Sequence, residues 1–113
     1  ISTAVTSTNT YAVNDNTEYL LIGSGAITGT LTLNFGNVSP LTDSYASYIS
    51  FETGETSPTV GISGSHVTVV FRGDDCDSEG NFTPAANKKY EVALKRVGTI
   101  DNKPYIVGRV GAC

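Results

Sequence analysis

Short runs in which apolar and polar residues alternate recur along the chain. The clearest extends from Ala26 to Phe35. Ile27, Leu31, Leu33 and Phe35 fall on one side, and Thr28, Thr30, Thr32 and Asn34 on the other. A repeat of two is the period of a strand with one face on a core and one face in water. Tyr45 to Phe51 repeats the pattern, setting Tyr45, Ser47, Ile49 and Phe51 against Ala46, Tyr48 and Ser50. His66 to Arg72 places Val67, Val69 and Phe71 together, and Lys89 to Val97 opposes Tyr90, Val92 and Leu94 to Glu91, Ala93 and Lys95. Shorter signals lie at Tyr11–Val13, Glu18–Ile22, Val60 with Ile62, and Tyr105–Val110.

Turn chemistry separates these runs. Asn14-Asp15-Asn16, Gly23, Gly36-Asn37, Ser39-Pro40, Gly54 to Pro58, Gly61, Gly64, and Asp101-Asn102-Lys103-Pro104 all favour reversal or interruption of a strand. The result is seven or eight strands at a spacing of ~8–12 residues, the pattern of a sandwich or barrel. The chain is therefore expected to be all-β, a single antiparallel β-sandwich domain spanning 1–113, with 1–9 as either a linker or a first strand. The expected core comprises Ile27, Leu31, Leu33, Phe35, Ile49, Phe51, Val67, Val69, Phe71, Tyr90, Val92 and Leu94.

Composition supports strands. Thr, Val, Ile and Tyr are abundant and suit a half-buried pleated surface. The 12 glycines suit turns and bulges, and no helical apolar spacing competes. The length, 113 residues, corresponds to one domain. No run approaches the ~18 apolar residues of a membrane span. Net charge is −4, and the longest basic cluster is Lys88-Lys89, which argues against nucleic acid as the main partner. The opening residues lack the charged start and apolar centre of a signal peptide, and the sequence has no Met, so it is read as a processed product or a piece of a longer protein.

Few residues offer chemistry. His66 is the only histidine, and its neighbour Ser65 points to the opposite face if both are in a strand. That reading gives a surface or sheet-edge histidine rather than half of a catalytic pair. Cys76 and Cys113 are either one long-loop disulfide or two free thiols. The acidic loop holds the one metal candidate: Asp75, Asp77 and Glu79 alternate ahead of Gly80, which resembles the start of a calcium loop. Position twelve of that loop is Ala86 instead of a bidentate Glu, so the competing reading is a solvated loop. Calcium is the only cofactor the residues suggest. Tyr45 and Tyr48 are candidate binding residues, because a tyrosine ring is apolar and its hydroxyl is wet.

Several stretches together resemble the small β domains of bacteriophage virion proteins, of the head-fibre and tail-fibre type in gut bacteriophages. They are Asn16-Thr17-Glu18-Tyr19, then Thr30-Leu31-Thr32-Leu33, then Tyr45 through Phe51-Glu52-Thr53-Gly54. Further on come Phe82-Thr83-Pro84-Ala85-Ala86-Asn87-Lys88-Lys89-Tyr90-Glu91 and the strand Tyr105-Ile106-Val107-Gly108. The chain departs from the family where a Trp is usual and Phe71 stands, followed by the acidic loop. The resemblance implies a non-catalytic virion component, working in assembly or host-surface attachment. Its implied partners are copies of itself, in a trimer or another homo-oligomer, other virion proteins, or a surface glycan. The alternative expectation is a carbohydrate-binding module or adhesin domain of a bacterial surface protein.

Overall fold

The computed structural model describes residues 8–36, 44–64 and 66–113, and every regular element within them is a strand. In order they are β1 (Thr8–Ala12), β2 (Thr17–Leu20), β3 (Ala26–Ile27), β4 (Thr30–Asn34), β5 (Ala46–Thr53), β6 (Thr59–Ser63), β7 (Thr68–Gly73), β8 (Lys89–Ile100) and β9 (Lys103–Ala112). They form a three-stranded sheet, β1-β4-β6, and a six-stranded sheet, β2-β5-β8-β9-β7, with β3 continuing the edge beside β5. The expectations for residues 1–7, for the break at Asn37, Ser39 and Pro40, and for Ser65 fall outside the described residues.

Two features of the expected architecture are corrected. The long run from Ala26 to Phe35 is two strands, not one, and the described residues hold nine strands rather than seven or eight. Thr28 and Gly29 carry the chain from β3 in the large sheet to β4 in the small one. Pairing is also mostly parallel: the small sheet is wholly parallel, as are β2 and β3 with β5 and β7 with β9. Among the described strands only β5–β8 and β8–β9 pair antiparallel, with one further antiparallel bridge between Cys76 and Phe82.

The reason lies in the connections. Segments 13–16, 28–29 and 54–58 do not fold a strand back on its own sheet; each carries the chain across to the other sheet, and β6 in the small sheet is likewise followed by β7 in the large one. Successive strands therefore wind around the core as a coil. Strands one turn apart run the same way, and the intervening strand supplies the crossover that parallel pairing requires. In the large sheet the coil is interrupted between β5 and β7, where the β8–β9 hairpin is inserted. Its turn is Asp101-Asn102 with φ of 52° and 61°, a two-residue connection of the type I′ form that matches strand twist.

The inner faces of both sheets share one core. Tyr11, Leu31 and Leu33 come from the small sheet; Tyr19, Ile49, Phe51, Phe71, Tyr90, Val92, Leu94, Ile106 and Val110 come from the large one. All of the expected core residues are buried except Val69, which is half-buried. Three tyrosines tie the end of β1 to the large sheet. The Tyr19 hydroxyl donates to the Ala12 carbonyl at 2.9 Å, the Tyr45 hydroxyl donates to the Val13 carbonyl, and the Tyr11 and Tyr19 rings lie 5.0 Å apart. Among the described residues no helix is long and apolar enough to cross a membrane.

Candidate functional site

The alternation that fills the core from one face of the large sheet sends the other face to solvent. Register then decides which outward side chains are neighbours. Glu18 of β2 lies beside Tyr48 of β5, Tyr48 beside Ala93 of β8, and Ala93 beside Arg109 of β9. One row away, Ala46 pairs with Lys95; on the other side, Ser50 pairs with Glu91. Tyr48 is thus an aromatic side chain set beside the small side chains of Ala46, Ser50 and Ala93. Its hydroxyl donates diagonally to Glu91 Oε1 at 2.7 Å, which fixes the ring across β8. Partial burial, and then the Glu91 carboxylate, push the Tyr48 hydroxyl up to about 12, so it remains a neutral donor at ordinary pH.

An open groove of about 350 Å³ runs beside this ring. It is lined by Asn16, Thr17 and Glu18 from the entry to β2, Ala46, Ser47 and Tyr48 from β5, and Ala93, Leu94 and Lys95 from β8. Asp15 anchors that corner by accepting the Ala46 N–H at 3.0 Å, while the Asn16 N–H donates to the Ala46 carbonyl at 2.8 Å. The groove therefore has an apolar floor, one aromatic wall and a polar rim.

Of the two candidate binding tyrosines, only Tyr48 reaches this face. Tyr45 is corrected: it is completely buried, and its ring lies 6.1 Å from that of Phe35. Strand parity explains the difference, because Tyr45 shares its face with Ser47, Ile49 and Phe51, all buried. Glu18 and Lys95 were not singled out in the sequence. The signal for Lys95 was its place opposite Leu94 in an alternating run, and what was missing was the register that brings it beside β5.

The acidic loop is engaged with the protein. Asp75 Oδ2 accepts the Tyr90 hydroxyl at 2.5 Å and lies 3.2 Å from Lys88 Nζ. Asp77 Oδ1 accepts the N–H of Glu79 at 2.9 Å and of Asn81 at 3.0 Å. The loop is held over one end of the core by Phe82, whose ring sits 5.7 Å from Phe71 and 5.2 Å from Tyr90. Among the described residues no group of three or more His, Cys, Asp or Glu side chains is placed to hold a metal. Because Asp75 and Asp77 already have partners, melting curves with millimolar calcium and with a chelator are expected to coincide; a calcium-dependent rise would show a ligand bound by the folded state.

The Tyr90 and Lys88 hydrogen bonds hold the Asp75 carboxyl below its usual range. A depressed folded value means stability that is present above the unfolded value and lost as pH falls through the folded one. The stability advantage of the natural chain over Asp75→Asn is therefore expected to be level from neutral pH down to about 5 and to shrink below about 4. Urea unfolding of both proteins across that range measures it; an advantage unchanged down to pH 2 contradicts the latch.

His66 is half-buried, and its Nε2 is buried with no hydrogen-bond partner among the described residues. Cys76 and Cys113 are free thiols, the first half-buried and the second exposed. Comparison with protein families, with curated proteins and with solved structures finds no match.

Proposed function

We propose that the chain is a non-catalytic structural domain of a bacteriophage virion, in a fibre, tail or head decoration, acting through assembly or attachment to a host surface. The two sheets are read as a sandwich whose outer surfaces make the contacts. The observation that carries this reading is the display of large apolar side chains at the sheet margins. Leu20 is 53% exposed at the β2 edge, and Val97 and Ile100 are 48% and 43% exposed along the β8–β9 hairpin. A second copy of the chain, or another virion protein, would remove such groups from water, as symmetric oligomers do.

Size-exclusion chromatography with light scattering at tens of micromolar tests this. The expected species is a homo-oligomer, a trimer if the fibre resemblance holds, that persists in moderate salt because apolar burial is little affected by screening. A strict monomer would overturn the assembly reading. The alternative is a carbohydrate-binding module or adhesin domain of a bacterial surface protein, which would place the chain outside the cell rather than in a virion. The groove beside Tyr48 favours that second reading.

A further inference from the structure

We infer that the groove beside Tyr48 is a binding site for a neutral pyranose ring, a hexose or N-acetylhexosamine, carried on a surface glycan. The inference rests on the attachment half of the reading above and gives that attachment a site and a ligand class. Three observations converge on it.

The first is shape. Ala46 and Ala93 form a floor of minimal side chains beside a large ring, leaving an open space of about 350 Å³. That is near the lower end of the volumes that hold small ligands. A protein partner would bury a far wider area than this depression offers.

The second is rigidity. The Tyr48 hydroxyl is bonded to Glu91 at 2.7 Å, and the strand that carries it lies inside the sheet, between β2 and β8. The ring is held in place before anything binds, so little freedom is lost on binding. An aromatic wall matches the apolar C–H face of a sugar ring while the tyrosine's polar end stays directed at Glu91.

The third is charge. Glu18 and Lys95 are both part of the lining, with Asn16 and Thr17 beside them. The neighbouring outward positions add one carboxylate, Glu91, and one cation, Arg109. With Asp15, which anchors the same corner, three carboxylates stand against two cations, a formal balance of −1. An anionic sugar or a phosphate therefore finds no excess of positive charge to hold it. A ring with hydroxyls around its rim finds acceptors in Glu18, Asn16 and the Thr17 hydroxyl, whose own proton goes to the Asp15 carbonyl at 3.3 Å, and donors in Lys95 and Asn16.

The test is an array of neutral oligosaccharides ending in glucose, galactose, N-acetylglucosamine or N-acetylgalactosamine, with sialylated and phosphorylated counterparts. Bound sugars are then titrated calorimetrically. Neutral rings are expected to bind, and acidic counterparts to bind no better. Tyr48→Ala should weaken binding at least about tenfold, while Tyr48→Phe should retain most of it. Ala93→Trp, at an exposed position, should block the groove without disturbing the core, and an unchanged melting temperature verifies that it folds. Retention of no neutral sugar at millimolar concentration overturns the inference, as does binding that Ala93→Trp leaves unchanged. Light scattering on the same samples separates the two readings. A monomer that binds sugar through the groove removes assembly and keeps the site; an oligomer that binds none, and that Ala93→Trp dissociates, makes the groove a contact between copies and removes the site.

Discussion

Replacing Gly73 with alanine is expected to destabilise the domain by about 3–5 kcal/mol, a large share of what holds a domain of this size together. Two independent costs combine. Gly73 has φ of +120°, a conformation that residues with a Cβ rarely adopt. An added Cβ would also lie 2.1 Å from the Val110 carbonyl oxygen, and that atom belongs to a strand backbone that cannot swing aside. Gly73 ends β7 in register with Val110, and the next residue's N–H donates to the same carbonyl at 3.1 Å. The glycine thus marks the point where the chain leaves β7 and turns into the acidic loop while pressed against β9. Urea denaturation of Gly73→Ala measures the effect; a loss under about 1 kcal/mol would mean that the backbone relaxes there.

Tyr45→Ala should be comparably severe, at about 3–5 kcal/mol, whereas Tyr45→Phe should cost only about 0.5–1.5 kcal/mol. The alanine variant removes a completely buried ring that packs against Phe35 and leaves a cavity between the sheets. The phenylalanine variant keeps the ring and removes only the hydroxyl that the Val13 carbonyl accepts. Thermal melts of the pair separate packing from hydrogen bonding. Equal losses would indicate that the hydroxyl, rather than the ring, holds the corner between β1 and β5.

Which residues face inward was legible in the sequence because a strand's side chains alternate regardless of its neighbours. Leu31 and Leu33, Ile49 and Phe51, and Tyr90, Val92 and Leu94 are buried as the alternation requires. The same rule already placed Tyr45 with Ile49, and it separates Tyr45 inside the core from Tyr48 in the groove. Direction of pairing was not legible, because alternation fixes the face of a strand and says nothing about its partner. The type I′ turn at Asp101-Asn102 is the exception: both residues tolerate positive φ, which suits the tight turn of an antiparallel hairpin. Elsewhere the two-residue link 28–29 and the five-residue link 54–58 are also short, yet they cross between layers. Short turns alone therefore suggested an antiparallel fold. The candidate groove was half visible: Tyr48 and the Glu91-Ala93-Lys95 face were in the pattern, and only the β5–β8 register joins them. Phe82, which seals the acidic loop to the core, sits in no alternating run and gave no periodic signal.

The position of β9 has a consequence for how the chain reaches this state. β7 pairs with β9, and β9 follows it in sequence after the acidic loop and all of β8. When β7 emerges during synthesis, its sheet neighbour does not yet exist. The β8–β9 hairpin closes locally through its two-residue turn, but its docking between β5 and β7 joins segments far apart in the chain. Such non-local pairings carry a loop-closure cost before they gain anything, and they slow folding. Completion of the larger sheet is thus deferred until the last strand is available, and until then the apolar side of β7, with Val69 and Phe71, stays open to wrong partners.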